Sequence, residues 1–145
     1  AANNKELENF YPAFKAVKDY VVQAPEKTTG WYLPSIGQWY DFTANLGGLP
    51  SWDDAINEGN DLTPNLYRWS NQTELVSKIN AYFEPLGTGN YDAIPNGSYQ
   101  KFFSSSTYSD SGIWTWFVGK QANVVQCWHN VRYNSDSAVR PILAF

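Results

Sequence analysis

The sequence has little of the chemistry on which disulfide scaffolds and metal sites depend. Its 145 residues include one cysteine, one histidine and no methionine. A single thiol cannot form an intrachain disulfide, and a structural zinc site needs a cluster of cysteine and histidine ligands. We therefore expect no metal and no cofactor, and a core of hydrophobic side chains has to stabilise the fold.

Positive charge and long apolar runs are also scarce. The formal net charge is −4 and the isoelectric point is about 4.8, so nucleic acid is not an expected partner. No stretch approaches the ~20 apolar residues of a membrane-spanning helix, so we expect no insertion into a membrane. The chain starts without methionine and shows no signal peptide, which indicates a processed protein or an excised piece.

Aromatic residues are the abundant class. They make up 17% of the chain, with seven tryptophans and ten tyrosines, while hydrophobic residues reach 43%. This composition and length are typical of one globular domain over residues 1–145. Rings that the core does not need suit recognition, because tryptophan and tyrosine give large contact areas.

Three segments of the first half have helical features. An apolar face of Phe14, Val17, Tyr20 and Val21 follows Pro12, which suits a first helical turn. Capping boxes at residues 35–38 and 71–74 predict two further helices, the first ending at residues 47–48 and the second before residues 85–87. Between them we expect a polar stretch over residues 52–69, with a short helix at residues 52–58.

The second half changes to short aromatic and β-branched runs. They predict strands over residues 100–104, 112–118, 123–130 and 138–145, joined as an antiparallel sheet, and residues 31–33 form one further short strand. Helices come first and strands last, so the predicted class is α+β.

Three phrases of the sequence resemble a bacterial C-type-lectin-like superfamily. Residues 30–39 (GWYLPSIGQW) resemble its "G-W-x-L-P-[ST]-x-x-[EQ]-W" phrase, and residues 102–107 (FFSSST) resemble its "Y-W-S-S-[ST]" strand. Residues 139–145 (VRPILAF) resemble its closing "V-R-P-V-[LR]-A-F" strand. The match covers residues 30–145, and residues 1–29 are an N-terminal helix and lead-in.

The resemblance implies a C-type-lectin-like fold, with N-terminal helices packed on a small twisted antiparallel sheet. The same frame occurs in formylglycine-generating-enzyme-like domains, in surface lipoproteins and fimbrillin-associated proteins, and in variable proteins of diversity-generating retroelements. It therefore implies the outer surface of a bacterium, as the C-terminal domain of an exported protein. The fold hosts several functions and does not choose among them. Arg140 and Pro141 have a structural interpretation, in which the guanidinium donates to loop carbonyls.

Catalytic chemistry finds little support in these residues. Cys127 and His129 share a face if their segment is a strand, but no third group that would orient them is identifiable. Formylglycine-generating enzymes use a pair of cysteines, which this chain lacks. The sugar-binding calcium phrases of animal C-type lectins are absent, and the acidic stretch from Asp53 to Asp61 lacks calcium-loop spacing. We expect no enzymatic activity.

The resemblance places the ligand surface in the second half, between the second and third phrases. Trp114 and Trp116 share one face of their strand and suit the core, so we expect Thr115 and Phe117 to be exposed. In the next strand, the alternation leaves open which face points inward. The predicted ligand-binding residues are Tyr108, Asp110, Ser111, Thr115, Phe117, His129, Arg132 and Tyr133.

A retroelement could diversify this segment. Randomising both adenines of an AAC codon yields the residue types found at positions 108, 110, 111, 113, 115, 117, 127, 129 and 133. The hypothesis requires a near-copy of the coding segment for residues 108–145 nearby in the genome.

Three function classes remain open from the sequence. The first is a surface recognition domain that binds a protein or a glycan. The second is an adhesin or pilus-tip subunit that mainly contacts neighbouring subunits, and the third is an oxidase of the formylglycine-generating type. The lone cysteine and lone histidine weigh against the third class.

Overall fold

Local capping chemistry sets the main helix of the first half. A computed structural model describes residues 11–48, 56–57, 67–87, 89, 91–96, 98–119, 124–131 and 137–144. Helix α2 (Ile36–Gly47) begins at a complete capping box, in which the Gln38 N–H donates to Ser35 Oγ at 3.2 Å and the Ser35 N–H donates to Gln38 Oε1 at 2.9 Å. It ends where Gly48 takes a left-handed φ of 71°, which glycine adopts without steric cost. The first capping-box prediction is confirmed.

Helix α1 (Pro12–Lys18) is shorter than its apolar pattern suggests. It buries Ala13 and Val17, which lie four residues apart on one face. Phe14 is 40% exposed, while Tyr20 and Val21 follow the helix and are 42% and 93% exposed. The predicted apolar face is therefore right only at Val17.

Helix α3 (Gln72–Ala81) begins where the sequence predicts, but without the predicted cap. Asn71 has a left-handed φ of 62°, and its side chain makes no capping bond to the backbone. Its Nδ2 donates instead to Glu74 Oε2 at 2.6 Å. The two side chains of the expected capping box are therefore hydrogen-bonded to each other and not to the backbone. The helix buries Leu75, Val76 and Ile79, and a short 3₁₀ helix (Glu84–Leu86) follows it. No helix in the described part of the chain is long and apolar enough to cross a membrane.

Six strands within the described residues form one sheet and, numbered along the chain, lie in the order β1-β2-β5-β4-β3-β6. Three long strands, β3 (Gln100–Thr107), β4 (Gly112–Gly119) and β5 (Val124–Val131), lie where the sequence predicts them. Two strands were not predicted, namely β1 (Ile56–Asn57) and β2 (Tyr67–Ser70). Residues 56–57 are extended and not helical, and the rest of the expected helix at 52–58 lies outside the described residues.

The C-terminal segment departs from the predicted antiparallel pattern. Strand β6 (Ser137–Ala138) pairs with β3 in parallel, so the sheet is mixed. A tight hairpin forces two strands to be antiparallel when they are neighbours in both the chain and the sheet. Strand β6 follows β5 in the chain but pairs with β3, so no hairpin sets its direction. Among the described residues of the strand predicted over 138–145, only the end of β6 and one antiparallel bridge, between Ile142 and Tyr32, have strand pairing. The same bridge is the only pairing in the strand predicted at 31–33.

The core lies on both faces of the sheet. On one face, α2 and α3 cover Trp116, whose ring stacks on Trp39 with centroids 4.8 Å apart and planes 3° apart. On the other face, α1 packs over Phe103 and Ile113. Because consecutive strand residues point to opposite faces, Phe102 joins the first cluster and its neighbour Phe103 joins the second. The fold is α+β, with helices on both sides of the central strands.

Candidate ligand-binding surface

Four rings form a chain of pairwise contacts near the end of the sheet where β3 turns into β4. This aromatic cluster consists of Tyr108, Trp114, Trp128 and His129. The rings of Tyr108 and His129 stack with centroids 4.5 Å apart and planes 12° apart, and Trp128 lies against His129 at 5.4 Å and 17°. Trp114 meets Tyr108 edge-on at 5.2 Å. Each such pair contributes about 0.5–1.5 kcal/mol beyond burial, which favours one orientation of the rings.

The strand register and a tight turn assemble this cluster. Trp114 of β4 lies directly opposite His129 of β5, so their side chains share the face that α2 and α3 cover further along the sheet. The turn closes where the Tyr108 N–H donates to the Gly112 carbonyl at 3.0 Å. A Cβ atom at Gly112 would lie 2.9 Å from Ser109 Oγ and 3.2 Å from Tyr108 Cδ1, so glycine is what allows the Tyr108 ring to approach.

The cluster is only partly covered. Trp128 is 43% exposed, and Val131 at the end of β5 is 39% exposed. Asp110 and Ser111 are exposed in the adjoining turn, whereas Tyr108 and His129 are half-buried. The surface therefore combines an ordered indole with a small polar rim, the mixture that favours protein recognition.

The structure brings four of the predicted ligand-binding residues together. Tyr108 and His129 are in contact, and Asp110 and Ser111 lie in the turn beside them. Phe117 lies towards the other end of β4, where its ring contacts Tyr99 at 4.9 Å, and it is half-buried. Arg132 and Tyr133 lie outside the described residues.

Thr115 was predicted to be exposed, and this prediction is wrong. It is fully buried, and its Oγ1 donates to the Trp128 carbonyl at 2.9 Å. The alternation correctly placed it opposite the tryptophan face, but that second face is also covered around Phe103 and Ile113. Ile113, Thr115 and Cys127, three positions of the retroelement hypothesis, are buried and would present no diversity to a ligand.

Trp128 is the ring that the sequence prediction missed. Its neighbours Val125 and Cys127 are 0% and 1% exposed and fix the inward face of β5. Alternation then directs the Trp128 side chain to the other face, beside Thr115, yet its ring still lies against that of its chain neighbour His129, with centroids 5.4 Å apart. The sequence shows the alternation but does not show which half of it is buried.

Cys127 and His129 lie on the same face of β5, as the alternation predicts, but the thiol is not accessible. Burial raises the pKa of the Cys127 thiol far above its usual range, and a hydrogen bond with Tyr40 lowers it by less. A protonated, buried thiol is a poor nucleophile and metal ligand. Among the described residues, no group of three histidine, cysteine or acidic side chains could hold a metal ion.

Comparison of this chain with protein-family models, with curated proteins and with solved structures found no match. The functional argument therefore rests on the residues of this chain and on their geometry. The aromatic cluster carries that argument, because it combines an exposed ring, Trp128, with ring contacts of defined geometry.

Proposed function

We propose that this chain is a non-catalytic recognition domain that binds a protein ligand through the aromatic cluster and the adjoining turn. The observation that carries this proposal is the position of Trp128, which is 43% exposed and packs against His129. A ring that is already ordered loses little conformational entropy when a partner covers it. Tryptophan and tyrosine anchors of this kind provide much of the binding energy in protein interfaces.

The proposed fold is C-type-lectin-like, and contacts between the three resembling phrases support it. The Ser105 N–H donates to the Pro34 carbonyl at 2.8 Å, and the Ile36 N–H donates to Ser106 Oγ at 2.9 Å, which joins the first phrase to the second. Tyr32 and Ile142 exchange backbone hydrogen bonds of 3.0 and 2.9 Å, which joins the first phrase to the third. Segments far apart in the sequence thus meet in one place, as a shared structural frame requires.

The proposed setting is the outer surface of a bacterium, which follows from the resemblance. An adhesin or pilus-tip subunit is the alternative within the same setting. The two differ in their partner, because an assembly subunit would use the cluster against neighbouring subunits of its own fibre. A recognition domain would use it against a separate protein.

The test compares the unmodified chain with two single-residue variants, each of which lacks one exposed aromatic ring. Trp128→Ala removes the exposed anchor, and Tyr82→Ala removes an exposed ring, 59% accessible, outside the cluster. Each variant and the unmodified chain are applied to arrays of purified bacterial and host surface proteins and to a glycan array. Thermal melting checks that both variants fold.

The expected result is a protein target that loses roughly 30-fold in affinity with Trp128→Ala, the effect of a ~2 kcal/mol anchor, and that keeps its affinity with Tyr82→Ala. A protein target whose affinity is unchanged by Trp128→Ala, or binding confined to the glycan array, would overturn the proposal. A target that is itself a pilus or fimbrial subunit would favour the adhesin alternative.

A further inference from the structure

A groove separate from the aromatic cluster runs beside the C-terminal segment. Its cavity volume is about 600 Å³, within the range that holds small ligands, and none of the four cluster residues lines it. Tyr20, Trp31, Phe83 and Tyr91 contribute rings to the wall, and Arg140 contributes a guanidinium. Arg140 and Phe83 also line an adjoining cavity of about 510 Å³ along α2, so the guanidinium borders both spaces.

Arg140 is held in place by two contacts. Its Nη2 donates to the backbone carbonyl of Asp92, and its guanidinium carbon lies 5.3 Å from the centroid of the Phe83 ring. The carbonyl contact agrees with the structural role predicted from the sequence. These two contacts orient the planar guanidinium, because they restrain a long side chain that would otherwise be flexible.

The guanidinium keeps unused binding capacity. It has five N–H donors, and within the described residues it makes one hydrogen bond and no ion pair. Burial is the largest influence on Arg140 and lowers its pKa, while the charge of Asp92 opposes this effect. The structure therefore presents a partly desolvated positive charge on the wall of a groove, with N–H donors beyond the one that Asp92 uses.

We infer that this groove binds a carboxylate-bearing sugar. Guanidinium and carboxylate form paired, charge-assisted hydrogen bonds, and a desolvated guanidinium gains more from them than one in water does. A pyranose ring has apolar C–H faces that pack on aromatic rings, and Tyr20 is 42% exposed on the wall. This inference goes beyond the proposed function and does not depend on it.

The polar rim favours a sugar over a peptide carboxylate. Asp92 is exposed on the wall, and Gln100 also lines it. The Asp92 carboxylate and the Gln100 carbonyl oxygen can accept hydrogen bonds from hydroxyl groups, which a sugar supplies on several carbons. An acidic peptide would instead bring two or more negative charges towards Asp92, whereas a sugar acid brings one.

The experiment compares acids with their matched esters. Glucuronate, galacturonate and N-acetylneuraminate, and the methyl ester of each, are titrated into the chain at millimolar concentration, followed by calorimetry and by amide chemical shifts. We expect at least one acid to shift the amides of residues 91–93 and 138–140. We expect its ester to bind about 10- to 100-fold more weakly, as the loss of a charge-assisted pair requires.

Variants locate the site and separate it from the aromatic cluster. Arg140→Lys keeps the charge but not the paired donors, and Tyr20→Ala removes an exposed ring, so each should weaken binding of the acid. Trp128→Ala should leave it unchanged, even if the protein-binding proposal fails. If Arg140→Lys does not fold, Tyr20→Ala and the shift map of the unmodified chain still decide.

Three results would overturn the inference. The first is equal affinity for an acid and its ester, since Arg140 would then not recognise the carboxylate. The second is no binding of any of the three acids. The third is a tripeptide with a free C-terminal carboxylate, tested alongside, that binds at least as tightly as the best of the sugars.

Discussion

Thr43 is the polar link at the centre of the core between the sheet and α2. It is fully buried, its Oγ1 accepts a hydrogen bond from Trp116 Nε1 at 2.8 Å, and it donates to the Trp39 carbonyl at 2.7 Å. Thr43→Val keeps the shape of the side chain but removes the acceptor. Trp116 is 0% exposed, so its indole N–H would be buried without a partner. Such a loss costs about 1–3 kcal/mol.

The expected consequence is a fall in melting temperature. With about 2 kcal/mol lost, and roughly 2–4 °C per kcal/mol for a domain of this size, Thr43→Val should melt about 4–8 °C below the unmodified chain. Urea unfolding, followed by circular dichroism, gives the free energy of unfolding. Thr43→Ser is the control that keeps the hydroxyl, and it loses only the contribution of one buried methyl group, on the order of 1 kcal/mol.

A double-mutant cycle isolates the hydrogen bond from the packing change. Trp116→Phe removes the donor, so Thr43→Val should cost much less in that background than in the unmodified chain. The difference, the coupling free energy, should be about 1–3 kcal/mol. If Thr43→Val costs the same in both backgrounds, the hydrogen bond does not stabilise the core and the reasoning is refuted.

Three further predictions concern other buried or capping groups. Ser35→Ala should lower the free energy of unfolding by about 1 kcal/mol in urea titrations, because the α2 cap is lost; an unchanged value would contradict the cap. Gln72 is 1% exposed, and neither polar atom of its side chain has a hydrogen-bond partner among the described residues. Gln72→Leu should therefore raise the free energy of unfolding by about 1 kcal/mol and, with it, the melting temperature. A lower melting temperature would show that the amide has hydrogen-bond partners. Because burial raises the pKa of Cys127, its thiol should react with a thiol reagent at pH 8 only after unfolding in urea, and rapid reaction of the folded chain would argue against its burial.

Much of the fold could be predicted because its signals are local. The capping box at Ser35 and Gln38 fixes the start of α2, and glycine marks both ends of β4. The errors occur where the outcome depends on distant parts of the chain. Asn71 has the right spacing for a cap but a left-handed backbone, and β6 takes its direction from the edge it joins.

The candidate site was only partly predictable for the same reason. The sequence indicates that Tyr108 and His129 belong to one region, but their stacking depends on the register of β4 with β5. The exposure of Trp128 depends on how far distant segments cover the second face of the sheet at this end of β5. Neither the strand register nor the exposure of Trp128 can be predicted from the composition or from the alternation within a single strand.

Strand β4 offers a direct test of the assignment of its faces. Thr115 and Phe117 share one face, yet Thr115 is fully buried and Phe117 is half-buried opposite Lys101 of β3. A glutamate at position 115 would bury a carboxylate without a partner, at a cost of several kcal/mol, which is a large part of the ~5–15 kcal/mol that stabilises a domain.

Thr115→Glu should therefore unfold the chain or lower its melting temperature strongly. Phe117→Glu should cost only about 1–2 kcal/mol, because the lost contact with Tyr99 is offset in part by attraction to Lys101, worth about 0.2–1 kcal/mol. Far-UV circular dichroism melts of both variants measure the difference. Equal tolerance of the two glutamates would mean that Thr115 is exposed, as the alternation alone predicts, and that the covering of this face by α1 and its neighbours is wrong.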